Sequence, residues 1–165
     1  MIAVLFDLEG TLVDCFAHYR KFISDSREKL IALGIPSKEL GDPSKSASMI
    51  NNGLDYVERK FNEKKAKEFH FELDQFLKGY EMLWAEQSSN FPDTIPTLKK
   101  LKNLNYQIGL VTNTSRLAMN RIIEKNEIGE FFNVIVSRSD VKRLKPDPEG
   151  ILLALNKLRV NDFSL

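Results

Sequence analysis

The chain has 165 residues, 42% of them hydrophobic and 28% charged, and its net charge of +1 comes with no basic block suited to nucleic acid. Its one cysteine, Cys15, excludes an intrachain disulfide and a zinc site built on thiolates. No apolar run is long enough to span a bilayer or to serve as a signal peptide, so the expected setting is a reducing cytoplasm and the expected size one domain, or one domain carrying an insertion.

Ile2-Ala3-Val4-Leu5-Phe6 is five consecutive apolar residues with β-branched members, which predicts a strand buried on both faces. Asp7-Leu8-Glu9-Gly10-Thr11 follows, and if strand geometry persists to Glu9 the carboxylates of Asp7 and Glu9 point the same way. They would then sit at the carboxyl end of a central parallel strand, where open α/β sheets place their ligands. Asp, Gly and Thr after a strand are also ordinary turn residues.

From Phe16 the pattern turns helical through Tyr19, Phe22, Ile23, Leu30, Ile31 and Leu33, ending at Gly34 and Pro36. Gly41-Asp42-Pro43-Ser44-Lys45-Ser46 has no preceding strand and lacks the glycine spacing of a phosphate loop, so it reads as a connector. Further helices are expected over Leu54 to Phe61 and Ala66 to Trp84, the second amphipathic through Phe69, Leu73, Phe76, Leu77, Tyr80 and Leu83. The charged run from Glu58 to Glu68 interleaves its signs and reads as a solvated helix face. His18 and His70 both fall in this region, where packing or surface roles are expected. Solvated roles are expected for Arg20, Lys21 and Arg27, and a structural thiol for Cys15.

Ser88 to Asp93 reads as a turn, followed by a helix with its stripe on Ile95, Leu98, Leu101 and Leu104 and with Asp93 or Thr94 as N-cap. Gln107 to Val111 predicts a second buried strand, ending in Thr112-Asn113-Thr114-Ser115. A helix through Met119, Ile122 and Ile123 comes next, then a third strand over Phe131 to Val136. Asp147-Pro148-Glu149 opens a final helix, with Asp147 at the N-cap, Pro148 at the first position and Glu149 favouring the dipole. The expected fold is therefore α/β. A Rossmann-like three-layer parallel-sheet core, residues 1–15 and 88–165, carries an inserted all-helical cap over residues 16–87.

Three polar clusters lie at or just beyond strand ends: Asp7 with Glu9, Thr112 with Asn113, and Lys145 in the turn before Asp147. Together they suit phosphoryl transfer. An aspartate can attack phosphorus, and a second acid can protonate the leaving oxygen and then activate water. A hydroxyl and helix-start amides can hold phosphate oxygens, and a lysine can offset the negative charge. Paired carboxylates facing a phosphate dianion call for a hard divalent cation, Mg²⁺.

At these residues the sequence resembles the haloacid dehalogenase superfamily of phosphohydrolases, through Phe6 to Asp14, the strand end Leu110-Val111-Thr112-Asn113, and Lys145-Pro146-Asp147-Pro148, in the family's order. The resemblance implies Asp7 as nucleophile and Glu9 as general acid/base. It implies Thr112 and the backbone of Asn113 as phosphate holders, Lys145 as the charge-neutralising and substrate-binding lysine, and Mg²⁺ on the Asp7 carboxylate and the Glu9 carbonyl. A Mg²⁺-dependent, phosphoglycolate-phosphatase-like enzyme acting on a small phosphorylated metabolite is the leading reading. A haloacid dehalogenase and a non-catalytic relative binding phosphate or a protein partner are the alternatives. The sequence departs from the family in two places: Glu9 stands where its phosphatases usually carry aspartate, and Asn161 to Leu165 ends about where a fourth strand with an acidic cluster should begin. Either the chain is a fragment or part of the metal site is absent. In both cases Ile2 to Phe6 is expected as an unpaired edge that favours a homodimer or a swapped element.

Overall fold

In the computed structural model, which describes residues 2–15 and 19–160, the elements run β1 (Ala3–Phe6), β2 (Val13–Asp14), α1 (Tyr19–Ala32), α2 (Ser46–Lys60), α3 (Glu63–Gln87), β3 (Ser89–Asn90), α4 (Thr94–Asn103), β4 (Gln107–Val111), α5 (Arg116–Lys125), β5 (Val134–Val136) and α6 (Glu149–Lys157). The chain divides into two units, residues 1–16 with 82–165 and residues 17–81. The division falls within α3, whereas the sequence pattern put the junction after Gln87. Among the described residues no helix is long and apolar enough to cross a membrane.

The first unit is built on a parallel sheet in the order β1-β4-β5. β4 is the middle strand, and Ile108, Gly109, Leu110 and Val111 are all buried, as a run with neighbours on both sides should be. Gly109 has a packing reason: a Cβ there would lie 2.5 Å from Leu5 Cδ2 of β1 and 3.3 Å from Leu158 Cδ1 beyond α6. Val111, Val136 and Ala154 form a core between the sheet and α6, with Leu5, Val134, Val141 and Leu153 packed around them. α4 also packs on β4, through the fully buried Leu98.

β1 is not buried on both faces as its composition suggested; all four of its residues are half-buried. Among the described residues it pairs with β4 alone, so it is an edge strand in this sheet rather than a central one. The third strand is also shorter than expected. Gly129–Phe131 forms a 3-10 turn, and Asn133 bonds to the backbone of Ile108 through both its N–H, at 2.7 Å to the carbonyl, and its Oδ1, at 2.9 Å from the amide. A second, antiparallel pair joins β2 to β3, and β3 lies where the sequence suggested only a turn.

The helix starts differ in detail. Neither Asp93 nor Thr94 caps α4 with its side chain; Thr94 Oγ1 instead donates to Leu12 O at 2.7 Å. Asp147 does receive the Glu149 N–H, at 2.9 Å. The Glu149 carboxylate, however, accepts the backbone N–H groups of Lys142 and Arg143, tying the preceding loop to α6.

The second unit contains only helices among its described residues. α1 ends where Gly34 N–H donates to Ile31 O and Ile35 N–H to Leu30 O, and the chain then turns back to pack α2 against α1. The connector reading of Gly41 to Ser46 holds: Asp42 Oδ1 accepts both the N–H and the hydroxyl of Ser44, closing a local turn. The charged run from Glu58 is not one helix face. It breaks at Phe61, because Asn62 Oδ1 takes the Lys65 N–H at 2.9 Å and starts α3 anew. Phe22, Phe76 and Tyr80 pack ring against ring, and the Tyr80 hydroxyl donates to Asp25, which also pairs with Lys21.

Candidate active site

β1 stops at Phe6 and the chain coils at once. The N–H groups of Thr11, Leu12 and Val13 converge on Leu8 O at 3.3, 2.9 and 3.1 Å, and Gly10 N–H donates to Val13 O at 2.8 Å. Gly10 takes φ +74, which L side chains rarely adopt, so this coil depends on a glycine. Leu8, fully buried, pins it to the core. Strand geometry therefore does not persist to Glu9, and the two acids end in different surroundings. The Asp7 side chain is 45% exposed, whereas Glu9 Oε1 is fully buried.

Asp7 Oδ1 is held from two sides, by Leu8 N–H at 2.8 Å and by Lys145 Nζ at 2.6 Å. Lys145 Nζ also donates to Val111 O, at the end of β4, at 2.8 Å. The ammonium is thus aimed by the strand end and shares its charge with the aspartate. The backbone of Lys145 is held as well: its N–H donates to Asn113 Oδ1 at 2.8 Å and its carbonyl accepts from Asn113 Nδ2 at 3.1 Å.

On the other side, Thr112 Oγ1 donates to Glu9 Oε2 at 2.7 Å and accepts the Thr114 N–H at 3.0 Å. A hydroxyl has one proton to give, and here Glu9 receives it. Glu9 Oε1 has no hydrogen-bond partner. Burial pushes the Glu9 pKa above the ordinary carboxylate value, against the pull of the Thr114 and Thr112 side chains, and the neighbouring Asp7 charge adds a smaller push in the same direction. An acid in this state can carry a proton closer to neutrality than a solvated glutamate would.

The structure thus brings Asp7, Glu9, Thr112, Asn113 and Lys145, drawn from the ends of β1 and β4 and the loop before α6, into two adjoining bonded groups, Asp7 with Lys145 and Asn113, and Glu9 with Thr112. Two contributors had no sequence signal of their own. Val111 acts through its carbonyl, and Thr114 supplies the N–H that orients the Thr112 hydroxyl. Of the other candidates, Cys15 is buried and its thiol is pushed up to about 12, first by burial and then by the charges of Glu9, Asp14 and Asp7. That makes it inert at neutral pH. His70 is exposed on α3 beside Phe69, and His18 lies outside the described residues. Lys21 pairs with Asp25, Arg27 bonds to Ser37 Oγ, and Arg20 is exposed.

A family model for haloacid dehalogenase-like hydrolases matches residues 4–164. The chain belongs to that family. Its relatives include pyrophosphatase PpaX of Bacillus velezensis, 31% identical over 94% of this chain and 68% of that protein. They also include phosphoglycolate phosphatase of Photorhabdus laumondii subsp. laumondii, 30% identical over 93% of this chain and 65% of that protein. The chain thus spans about two thirds of the length of these curated relatives. Among solved structures, a HAD phosphatase from Thermococcus onnurineus superposes with a TM-score of 0.53 at 25% identity, over 97% of this chain and 73% of that one. The chain is accordingly a phosphatase-like member of the family, and its α/β core with parallel sheet is the family's fold.

Family membership brings Mg²⁺ into question. Among the described residues no three His, Cys, Asp or Glu side chains come together as a metal cluster. The donor the structure shows open is the Asp7 carboxylate, because the Glu9 carboxylate is turned to Thr112; the Glu9 backbone carbonyl is the second ligand the resemblance implies. That pair fits the small protein share of a Mg²⁺ shell otherwise filled by water and phosphate.

Proposed function

We propose that this chain carries the catalytic machinery of a phosphatase that hydrolyses a small phosphorylated metabolite through an aspartyl-phosphate on Asp7. The observation that carries the reading is the open Asp7 carboxylate, held by Lys145 Nζ at 2.6 Å, with a buried, raised-pKa acid two residues away. The Asp7 carboxylate attacks phosphorus, forming an O–P bond as the bond to the leaving oxygen breaks, and the proton on Glu9 passes to that oxygen. Glu9, now ionised, takes a proton from water; the hydroxide attacks phosphorus and returns Asp7 to its free carboxylate. Lys145 offsets charge on Asp7 and on the phosphate oxygens throughout. Mg²⁺, held by the Asp7 carboxylate and the Glu9 carbonyl, would supply further positive charge against the phosphate dianion.

Glu9 supports this reading over dehalogenation, in which no leaving group needs a proton. The sparse set of acidic ligands among the described residues favours a second reading, a relative that binds phosphate without turning it over. Hydrolysis of para-nitrophenyl phosphate with and without Mg²⁺, by the wild type and by Asp7→Asn, separates the two. The proposal expects Mg²⁺-dependent release in the wild type and none in a folded Asp7→Asn. Equal rates in the two proteins would remove Asp7 as nucleophile, and no release from either would leave the binding reading.

A further inference from the structure

We infer that the side chain of Asn113 is a positioning group for Lys145, clamping the lysine's backbone so that its ammonium is delivered to Asp7. The inference rests on the proposed roles of Asp7 and Lys145 only for its catalytic consequence; the clamp itself is a matter of bonds.

The resemblance gives Asn113 a single role, holding phosphate through its backbone. Its side chain does something else. The carboxamide faces the Lys145 peptide and satisfies both of its backbone groups, accepting from the N–H at 2.8 Å and donating to the carbonyl at 3.1 Å. Only an amide side chain can do this: a carboxylate lacks the donor, and a hydroxyl cannot span both groups. The contact joins residues 32 apart in sequence. It docks a loop that no strand pairing holds among the described residues: between β5 and α6 the chain forms only the 3-10 turn Arg138–Asp140.

The clamp lies two residues beyond the atom that receives the ammonium. Val111 O accepts from Lys145 Nζ at 2.8 Å, so one short stretch of chain, Val111 to Asn113, binds the lysine at both ends. With the backbone fixed at Asn113 and Nζ fixed at Val111 O, the side chain is led along the end of β4 to Asp7 Oδ1. Without the clamp, the Lys145 peptide loses both of these bonds while Lys142 and Arg143 stay tied to Glu149, and the ammonium is aimed less tightly at Asp7. A displacement of about an ångström at a reacting group can cost on the order of a hundredfold in rate.

The test has one arm that needs no activity. Hydrogen exchange at the Lys145 backbone amide is measured by NMR in the wild type, Asn113→Ala and Asn113→Asp, with the amides of β4 and β5 as internal reference. Asn113→Ala removes donor and acceptor and is expected to speed exchange at Lys145 at least tenfold relative to the strands. Asn113→Asp keeps the acceptor and is expected to fall between, and it decides the matter if the alanine variant does not fold. Unchanged exchange at Lys145 in a folded variant overturns the inference. The second arm is a double-mutant cycle on para-nitrophenyl phosphate hydrolysis. If Asn113 acts through Lys145, Asn113→Ala lowers kcat about tenfold or more in the wild type and has no further effect in Lys145→Ala. A loss that adds in full in that background also overturns the inference. A wild type without hydrolysis counts against the proposed function, and the exchange arm then decides the clamp alone.

Discussion

Replacing Thr112 by valine tests the other half of the cluster, and its cost can be worked out from the bonds. Thr112 is 3% exposed, and valine keeps its shape while removing the hydroxyl. One buried and one part-buried group then lose a partner. The Thr114 N–H, donated at 3.0 Å, has no acceptor, and Glu9 Oε2, which accepted at 2.7 Å, has no donor. Glu9 Oε1 already lacks a partner, so the bond from Thr112 to Oε2 is one the carboxyl group can ill lose. A buried polar group left unpaired costs about 1–3 kcal/mol, and more when charged. The expected destabilisation is therefore about 3–5 kcal/mol. Thr112→Ser keeps both bonds and removes one methyl group, worth about 1 kcal/mol. Urea unfolding at neutral pH, with the midpoint shift read at unchanged m, measures both. In a Glu9→Gln background the two losses should not add, because Thr112 and Glu9 share one hydrogen bond. A valine variant within about 1 kcal/mol of the wild type, or a serine variant as costly as valine, would refute the reasoning.

Glu9→Gln should trap more phosphoenzyme than the wild type on acid quench with a good leaving group, because water attack still needs the base; equal trapping and equal turnover would exclude that role. Asp140 should anchor the turn after β5. Burial acts to raise its pKa, but the Ser137 N–H at 2.8 Å, the Ser137 hydroxyl at 2.7 Å and Arg116 together hold it below the ordinary value. With the folded pKa depressed, the stability it contributes is present above the ordinary carboxylate pKa and lost as pH falls through the lowered one. Asp140→Ala should accordingly cost about 1–2 kcal/mol at pH 7 and clearly less in acid, and a pH-independent cost in urea melts would contradict this. Cys15, with its thiol pushed up to about 12, should resist a disulfide-exchange reagent at pH 8 in the folded chain and react at once in denaturant; rapid labelling of the native protein would show the thiol to be accessible.

What the sequence determined by itself was local. An apolar run that meets Asp7, another that meets Thr112, and a helix opened by Asp147 and Pro148 mark strand ends and a helix start, because burial and capping impose residue types on neighbouring positions. The α/β class and the helical middle follow from the same periodicities. The tertiary structure decided whatever depends on which residues meet. β1 has the composition of a buried strand, yet it is half-buried, because exposure is set by neighbours and among the described residues it pairs with β4 alone. β2 and β3 are two residues each, too short for any period, and exist only because they pair. Phe131 to Asn133 has strand composition but is drawn into a turn and a contact with Ile108. The site shows the division most plainly. Its residues could be named from strand ends, but their partners could not: Thr112 reaches Glu9 across 103 positions, and the Asn113 carboxamide chooses the Lys145 peptide over solvent. Hydrogen bonds between residues so far apart leave no period in the chain, because their geometry exists only once the sheet has brought the strand ends together.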